Sequence, residues 1–241
     1  MNKPKMILFD YGHTLVHETS INHERGVQAI LAHATSNKNN ISAQQASKMA
    51  VELFAEHGKA RSEMLEIHNF ALHRYLYEYL QIEIDLTPEE MEDVFWDAFA
   101  PGVAMPGTAQ MLTDLKAMGI RTGVISNISY SGGSLARRIH RLLPQNSFEF
   151  IIASSEYGFR KPSPRLFEVA LRKADLPAEE VWYCGDNPKM DIEGAAGAGL
   201  YPVWYQSHLE RLYGDDTDAE VCCKHAVVTE WEQLTALINS L

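Results

Sequence analysis

The sequence predicts an α/β fold in which a parallel sheet is covered by helices and a helical segment is inserted after the first strand. Beyond Pro106, short apolar runs alternate with helical patterns, and this alternation indicates a parallel sheet with helices on both faces. Between the first strand and this region, the hydrophobic pattern is helical. We therefore predict a core formed by residues 1–16 and 101–241, with an all-helical insert of residues 17–100.

The core strands are predicted one after another along the chain. The first is the apolar run Met6–Phe9, which ends at Asp10. Four consecutive apolar residues without polar alternation are typical of a short strand buried on both faces. Later strands are predicted in the segments "IRTGVIS", "FEFIIAS", "VWYCG", "LYPVWY" and "HAVV".

The insert contains three clear helical patterns. Two of them begin with capping boxes, formed by Ser42 with Gln45 and by Thr87 with Glu90. The third is predicted over residues 63–80, "EMLEIHNFALHRYLYEYL". Its expected buried side consists of Leu65, Leu72, Leu76 and Tyr79 or Leu80.

Charge and composition exclude several classes of function. The net charge of −11 over 241 residues argues against nucleic acid as the main partner, because binding a phosphate backbone needs basic patches. The same charge disfavours an anionic membrane surface. Three cysteines without a CxxC pair and a short N-terminal apolar run predict a cytoplasmic protein. The acidic segment "GDDTD", residues 214–218, is predicted to be a solvated loop.

Polar residues follow several predicted strands at the point where each strand ends. They are Asp10, Ser126, Asn127, Lys161, Asp186, Asn187 and Asp191. Taken singly, each is an ordinary turn or cap residue. Ligands of open parallel sheets, however, bind outside the carboxyl ends of the strands. The order and common edge of these residues therefore indicate a functional site.

Four short motifs, in this order, resemble the motifs of the haloacid dehalogenase-like (HAD) hydrolases. "FDYGHTL" is similar to the first, "VISN" to the second, "RKPSP" to the third and "GDNPKMD" to the fourth. The resemblance covers residues 1–16 and 101–230, and the insert stands where the family has its helical C1-type cap. It implies a Rossmann-like core and a hydrolase that acts on a small phosphorylated metabolite, either a phosphate ester or an acyl phosphate.

The resemblance implies how the phosphoryl group would be attacked and held. Asp10 would be the nucleophile and form an aspartyl-phosphate, which divides one difficult step into two. Ser126 and Lys161 would act as catalytic groups on the phosphoryl oxygens, with Lys161 as a point charge. Thr14 and Asn127 are further candidates for phosphate contacts.

The resemblance also implies a Mg²⁺ cofactor. Its protein ligands would be Asp10, Asp186 and the main-chain carbonyl of Gly12, and oxygen ligands are those that Mg²⁺ prefers. Asp191 and Asn187 would support this set from behind, with Asp191 orienting Lys161 or a metal-bound water.

Position 12 departs from the family's phosphatases. The residue two positions after the nucleophile is usually a second aspartate, which protonates the leaving group and later activates water. Here it is Gly12, which has no side chain. General acid–base help is worth about 10²–10⁴ in rate, so alkyl phosphates should suffer more than acyl or aryl phosphates. His13 is a candidate substitute, because its ordinary pKa suits the task, and His17 is another.

The glycine leaves alternative functions open. A 2-haloacid dehalogenase also lacks the second aspartate, although it generally lacks the metal-binding acid that Asp186 supplies here. A phosphonatase would need a desolvated lysine in the cap, for which Lys38, Lys48 and Lys59 are candidates. The chain could also be a non-catalytic binding or regulatory protein of the same fold.

Overall fold

The computed structural model describes residues 2–212 and 220–241; the predicted acidic loop at 214–218 lies outside them. The strands are β1 (Met6–Phe9), β2 (Val16–Glu18), β3 (Ala34–Asn37), β4 (Ile82–Ile84), β5 (Gly102–Ala104), β6 (Arg121–Ser126), β7 (Ile151–Ala153), β8 (Val181–Gly185), β9 (Tyr201–Tyr205) and β10 (Ala226–Val228). The α-helices are α1 (His23–Leu31), α2 (Ala43–Glu56), α3 (Gly58–Ser62), α4 (Asn69–Tyr79), α5 (Pro88–Phe99), α6 (Thr108–Ala117), α7 (Gly132–Leu142), α8 (Pro164–Ala174), α9 (Gly194–Gly197) and α10 (Trp231–Asn239). Short 3-10 turns cover Ser154–Glu156 and Ala178–Glu180, and a π-type turn covers Pro188–Glu193. None of the helices in the described ranges has the length and apolar character needed to cross a membrane.

Six parallel strands form the central sheet, in the order β10-β9-β8-β1-β6-β7. Alternate side chains of β1 point to opposite faces. Ile7 and Phe9 belong to a core shared with α6, α7 and α10, whereas Met6 and Leu8 pack with α8 and α9. Because both faces are buried, the strand has no polar positions. The predicted α/β fold with a doubly covered parallel sheet is confirmed.

The inserted segment lies between β2 and β5, which pair antiparallel at its base. Its helices α2 and α5 begin at the two predicted capping boxes. The segment is not all-helical as predicted, because β3 and β4 form a two-stranded antiparallel sheet. The strand β3, "ATSN", has no apolar run or alternation, and β4, "IEI", alternates over only three residues.

The third predicted helix of the insert is shorter than its sequence pattern. Of the predicted range 63–80, only α4 is helical, and Leu65 is exposed instead of buried. Of the alternatives Tyr79 and Leu80, Leu80 packs against the buried cluster of the insert and Tyr79 is exposed. The chain leaves the helical path at Met64, whose φ angle is 60°, and Leu65 then forms a β-bridge with Phe159 of the core. A contact with the core thus overrides a local helical pattern.

Aromatic side chains attach the insert to the core. Trp96 of α5 stacks on Tyr130 with ring centroids 4.1 Å apart, and its edge contacts Tyr11 at 5.8 Å. Arg138 of α7 lies over the Trp96 ring and donates a hydrogen bond from Nε to the Tyr11 hydroxyl at 2.7 Å. The insert is therefore packed against the core beyond its two connecting strands.

Candidate active site

The strands β1, β6 and β8 bring three predicted site residues to one edge of the sheet. Asp10 follows β1, Ser126 ends β6 and Asp186 follows β8. All three are buried. The Asp10 N–H donates to the carbonyl of Cys184 at 2.9 Å, which continues the β1–β8 pairing to the acid itself. The sheet geometry thus gathers residues that lie up to 176 positions apart, from Asp10 to Asp186.

Lys161 is buried at this edge, with 2% of its side chain exposed. Its Nζ donates to Asp10 Oδ1, Asp191 Oδ1 and the Tyr183 hydroxyl, each at 2.6 Å, and to the carbonyl of Ile125 at 3.1 Å. Burial lowers the pKa of Lys161, but the carboxylates of Asp10 and Asp191 outweigh it and raise the pKa above its ordinary value. The lysine therefore carries a fixed positive charge against Asp10.

Asn127 holds the main chain of Lys161. Its Oδ1 accepts from the Lys161 N–H at 2.7 Å, and its Nδ2 donates to the Lys161 carbonyl at 2.9 Å. The peptide bond between Lys161 and Pro162 is cis. Because both ends of the amide are occupied in this way, Asn127 positions the lysine, and its direct contact with phosphate stays a prediction.

Asp186 forms the other side of the site. Its carboxylate accepts a hydrogen bond from Thr14 Oγ1 at 3.4 Å and is ion-paired with Arg211. Its carbonyl accepts from Trp204 Nε1 at 3.1 Å and from Arg211 Nη2 at 3.2 Å. Burial, together with Asp191 and Asp10, raises the pKa of Asp186, while Arg211 and Lys161 act in the opposite direction.

Three carboxylates at this edge fit a divalent cation. Asp10, Asp186 and Asp191 each offer one oxygen, and these oxygens lie within 4.8 Å of one another. Burial raises the pKa of Asp10 to about 6; Lys161 opposes this shift and Asp191 adds to it. The carboxylates thus still repel one another beside the lysine. Hard oxygen donors with this shortage of positive charge suit Mg²⁺.

Asn187 and Asp191 are held by the turn that follows β8. Asn187 Oδ1 caps this turn by accepting from the N–H groups of Lys189 at 3.1 Å and Met190 at 2.9 Å. The Asn187 N–H donates to Asp191 Oδ2 at 2.9 Å, while Asp191 Oδ1 accepts from Lys161. Both oxygens of Asp191 are therefore fixed by hydrogen bonds.

The loop after Asp10 carries the glycine and the candidate substitute acid. Gly12 forms an isolated bridge with Val16, and its carbonyl as a metal ligand stays a prediction. His13 is buried with a φ angle of 53°. Burial, with Arg211 and His17, lowers the pKa of His13 to about 4. At pH 7 this imidazole is neutral, so it can accept a proton but has no imidazolium proton to donate.

Sequence reasoning missed two side chains of this site. Tyr183 donates to Asp191 Oδ1 at 3.2 Å or to the Ile125 carbonyl at 3.1 Å, besides accepting from Lys161. Its signal was a hydroxyl within the apolar strand "VWYCG". Arg211 lies in the irregular segment after β9, where no motif marks it.

The profile of the haloacid dehalogenase-like hydrolases matches residues 4–199. The chain therefore belongs to the haloacid dehalogenase-like hydrolases, as the four motifs predicted.

Individual relatives include a curated enzyme and solved structures. A glyceraldehyde 3-phosphate phosphatase of Pyrococcus abyssi is 28% identical over 221 residues, which cover 84% of this chain and 81% of that protein. A 2-haloacid dehalogenase of Pseudomonas syringae superposes with a TM-score of 0.66 at 22% identity, covering 98% of this chain and 99% of the other. A HAD phosphatase of Thermococcus onnurineus superposes with a TM-score of 0.61 at 19% identity, covering 97% of each chain. At such identities the structures share a fold, and the fold does not select between phosphate and halide chemistry.

Proposed function

We propose that this protein is a Mg²⁺-dependent phosphohydrolase that forms an aspartyl-phosphate on Asp10. The observation that carries the proposal is the contact of Asp10 with the buried Lys161, beside the carboxylates of Asp186 and Asp191. A charged lysine next to a nucleophile suits a substrate whose negative charge must be neutralised during attack. The clustered acids suit a metal, which a carbon–halide reaction does not need.

In the proposed reaction, each step is assigned to particular residues of the chain. Asp10 attacks phosphorus, the bond to the leaving oxygen breaks, and water later hydrolyses the aspartyl-phosphate to restore the carboxylate. Lys161 and the hydroxyl of Ser126 hold phosphoryl oxygens, while Asp191 keeps the Lys161 ammonium in place. Asp10, Asp186 and the carbonyl of Gly12 would hold Mg²⁺, which would supply positive charge that neutralises the phosphoryl group.

The missing acid at position 12 predicts a preference among leaving groups. Gly12 offers no proton, and the lowered pKa of His13 leaves its ring neutral at pH 7. Acyl and aryl phosphates leave without a proton more easily than alkyl phosphates do. We therefore expect acyl phosphates to be hydrolysed faster than sugar phosphates.

The natural substrate is proposed to be a small phosphorylated metabolite. The similarity to glyceraldehyde 3-phosphate phosphatase makes three-carbon phosphates the first compounds to test. We further propose that residues 17–100 act as a cap that excludes water from the site, with residues 1–16 and 101–241 as the catalytic core.

The test is phosphate release from p-nitrophenyl phosphate and acetyl phosphate, with Mg²⁺ and with EDTA. We expect metal-dependent release that falls at least about 10³-fold in Asp10→Asn, because the nucleophile is removed. Asp114→Asn, which removes a carboxylate from α6, serves as the matched control and should keep activity. Wild-type rates in Asp10→Asn would contradict the proposal.

A 2-haloacid dehalogenase is the second candidate, and Gly12 is the observation that favours it. In that reaction Asp10 would attack carbon and expel halide, and no acid at position 12 would be needed. Halide release from 2-haloacids in EDTA, without any phosphate release, would replace the phosphohydrolase proposal. Absence of both products would favour a non-catalytic protein.

A further inference from the structure

Glu66 is a buried carboxylate that the insert places against the core. Its side chain is 0% exposed. The Glu66 N–H donates to the carbonyl of Gly158 at 3.0 Å, and the Arg160 N–H donates to the carbonyl of Met64 at 2.9 Å. The chain between α3 and α4 is thus paired with the core loop that leads to Lys161.

The Glu66 carboxylate has several partners from the core and the insert. Its Oε2 accepts from Ser154 Oγ at 2.8 Å and is ion-paired with Arg160. Its Oε1 lies 3.5 Å from Arg61 Nε and accepts from the N–H of Ile67 at 3.1 Å. Two arginines therefore share one buried carboxylate, which binds them more strongly than a neutral acceptor would.

One branch of these contacts leads to Asn127. Ser154 Oγ accepts from the N–H of Ile128 at 2.8 Å while it donates to Glu66. Ile128 directly follows Asn127, whose amide holds Lys161. The Ser154 hydroxyl has one proton and two acceptors, Glu66 Oε2 at 2.8 Å and the Ile128 carbonyl at 3.0 Å, and the charged carboxylate is the stronger of the two. Glu66 therefore directs the Ser154 hydroxyl, which in turn holds the main chain after Asn127.

The other branch leads directly to Lys161. Arg160 is ion-paired with Glu66 and precedes Lys161 in the chain. The Lys161 Nζ must stay 2.6 Å from Asp10 Oδ1. Misplacing such a group by about 1 Å can lower a rate by about 10²-fold. The ion pair between Glu66 and Arg160 therefore helps to fix the position of the neighbouring Lys161.

We propose that Glu66 is a positioning residue for catalysis, which bridges the loops of Asn127 and Lys161 through Ser154 and Arg160. The inference rests on the phosphohydrolase function proposed above. It assigns the insert a part in building the site, in addition to covering it.

The test compares Glu66→Gln with Glu92→Gln. Glu92 is the matched control, because it is also a buried glutamate of the insert and accepts from a core N–H, that of Ser131 at 2.9 Å. It contacts neither Ser154 nor Arg160 in the hydrogen bonds and ion pairs described for it. The measurements are kcat and KM with p-nitrophenyl phosphate, the inhibition constant of inorganic phosphate, and amide hydrogen exchange.

For Glu66→Gln we expect kcat/KM to fall about 10- to 100-fold, mainly through kcat, and inorganic phosphate to bind more weakly. Amide exchange should rise both at 126–130 and at 158–163. Glu66→Asp, which keeps the charge, should recover part of the rate. In Glu92→Gln, kcat/KM should stay within about twofold of wild type.

Several results would overturn the inference. One is a folded Glu66→Gln variant whose kcat and KM equal those of Glu92→Gln. Another is amide hydrogen exchange in Glu66→Gln that becomes faster only at residues 64–69. If Glu66→Gln does not fold, Ser154→Ala decides, and wild-type kinetics in that variant would overturn the bridge. A wild-type protein that releases no phosphate would instead overturn the proposed function, and the exchange data alone would then decide for Glu66.

Discussion

Two cationic side chains neutralise the aspartates of this site in different ways. Lys161 has 2% of its side chain exposed, and its three N–H groups have four acceptors at hydrogen-bond distance, including Asp10 and Asp191. Arg211 has 28% of its side chain exposed and contacts only the carboxylate and carbonyl of Asp186 among the partners described. The main chain of Lys161 is held at its N–H and its carbonyl by the amide of Asn127. Arg211 lies in the irregular segment after β9.

Because of this difference, we call Lys161 the permanent cation of the site and Arg211 the replaceable cation. Removing one partner of a buried pair leaves an uncompensated charge, so Lys161 cannot leave Asp10 without a large penalty. In the second pair Asp186 is buried and Arg211 reaches water, which screens this pair more than it screens the pair of Lys161 with Asp10. On the proposed function, Asp186 would exchange Arg211 for the metal ion, whereas Asp10 would keep Lys161 beside it. Four substitutions test this contrast.

Lys161→Met removes the permanent cation and should have the largest effect. The carboxylates of Asp10 and Asp191 then face each other without compensation, and the free energy of unfolding should fall by about 3–5 kcal/mol. Urea denaturation measures this change, and phosphate release should be lost as well. Lys173→Met, on the exposed side of α8, is the control and should stay within about 0.5 kcal/mol. A loss below about 1 kcal/mol for Lys161→Met would contradict the role of Lys161 as a buried counter-charge of these carboxylates.

Gly12→Asp adds the acid that is missing at position 12, two residues after Asp10. We expect a gain of at least about tenfold on alkyl phosphates and a smaller gain on acetyl phosphate, because only poor leaving groups need the proton. In the part of the chain that the structure describes, Gly12 is not among the glycines with a positive φ angle, so a side chain fits its backbone conformation. Gly12→Ala is the control for the added Cβ. Equal gains on both substrates, or a gain with alanine, would point to another cause.

Glu92 is also a buried acid, but its described contacts include no arginine or lysine at hydrogen-bond distance. It therefore shows how a buried carboxyl group behaves without the cation that Asp10 and Asp186 each have. Burial raises the pKa of Glu92 from 4.5 to about 7, although hydrogen bonds from Ser131 lower it. The folded state thus binds more protons than the unfolded state between these values, so this group makes stability fall as pH rises from about 4.5 to 7.

Glu92→Gln should remove this fall in the free energy of unfolding with rising pH. Relative to wild type, the free energy of unfolding should gain about 1–3 kcal/mol between pH 5 and pH 8, since one pKa unit corresponds to about 1.4 kcal/mol. Denaturation at both pH values measures the change. Glu156→Gln, at an exposed acid that accepts from the Gly132 N–H, is the control. A gain that is equal at both pH values would exclude titration of Glu92 as its source.

Arg211→Gln removes the replaceable cation and should have the smallest effect. The affinity for Mg²⁺ should rise about threefold to tenfold, because the metal no longer displaces an arginine from Asp186. Calorimetric titration with Mg²⁺ measures it, and Trp204, which contacts the Asp186 carbonyl, provides a fluorescence signal. Arg165→Gln on α8 controls for the change in net charge. Weaker binding in Arg211→Gln would show that the arginine supports the metal site.

The core was largely predictable because its patterns are local. The strand Met6–Phe9 is buried on both faces, so it is apolar throughout, and the residues that follow the strands must meet at one edge of a parallel sheet. The capping boxes at Ser42 and Thr87 likewise act within one helical turn and begin the helices as predicted. In contrast, β3 and β4 were missed, since their pairing joins segments that lie 45 residues apart or more.

The sequence by itself determined the strands of the central sheet, the α/β class, the family and the residues that follow each of these strands. These properties depend on neighbouring residues, on the period of the hydrophobic pattern and on short motifs. The tertiary structure alone decided that Arg211 pairs with Asp186, that Tyr183 contacts Lys161, and that the helix at residues 63–80 gives way to the contacts of Glu66. These contacts join distant segments, and their partners carry no local pattern, so only packing of the whole chain brings them together.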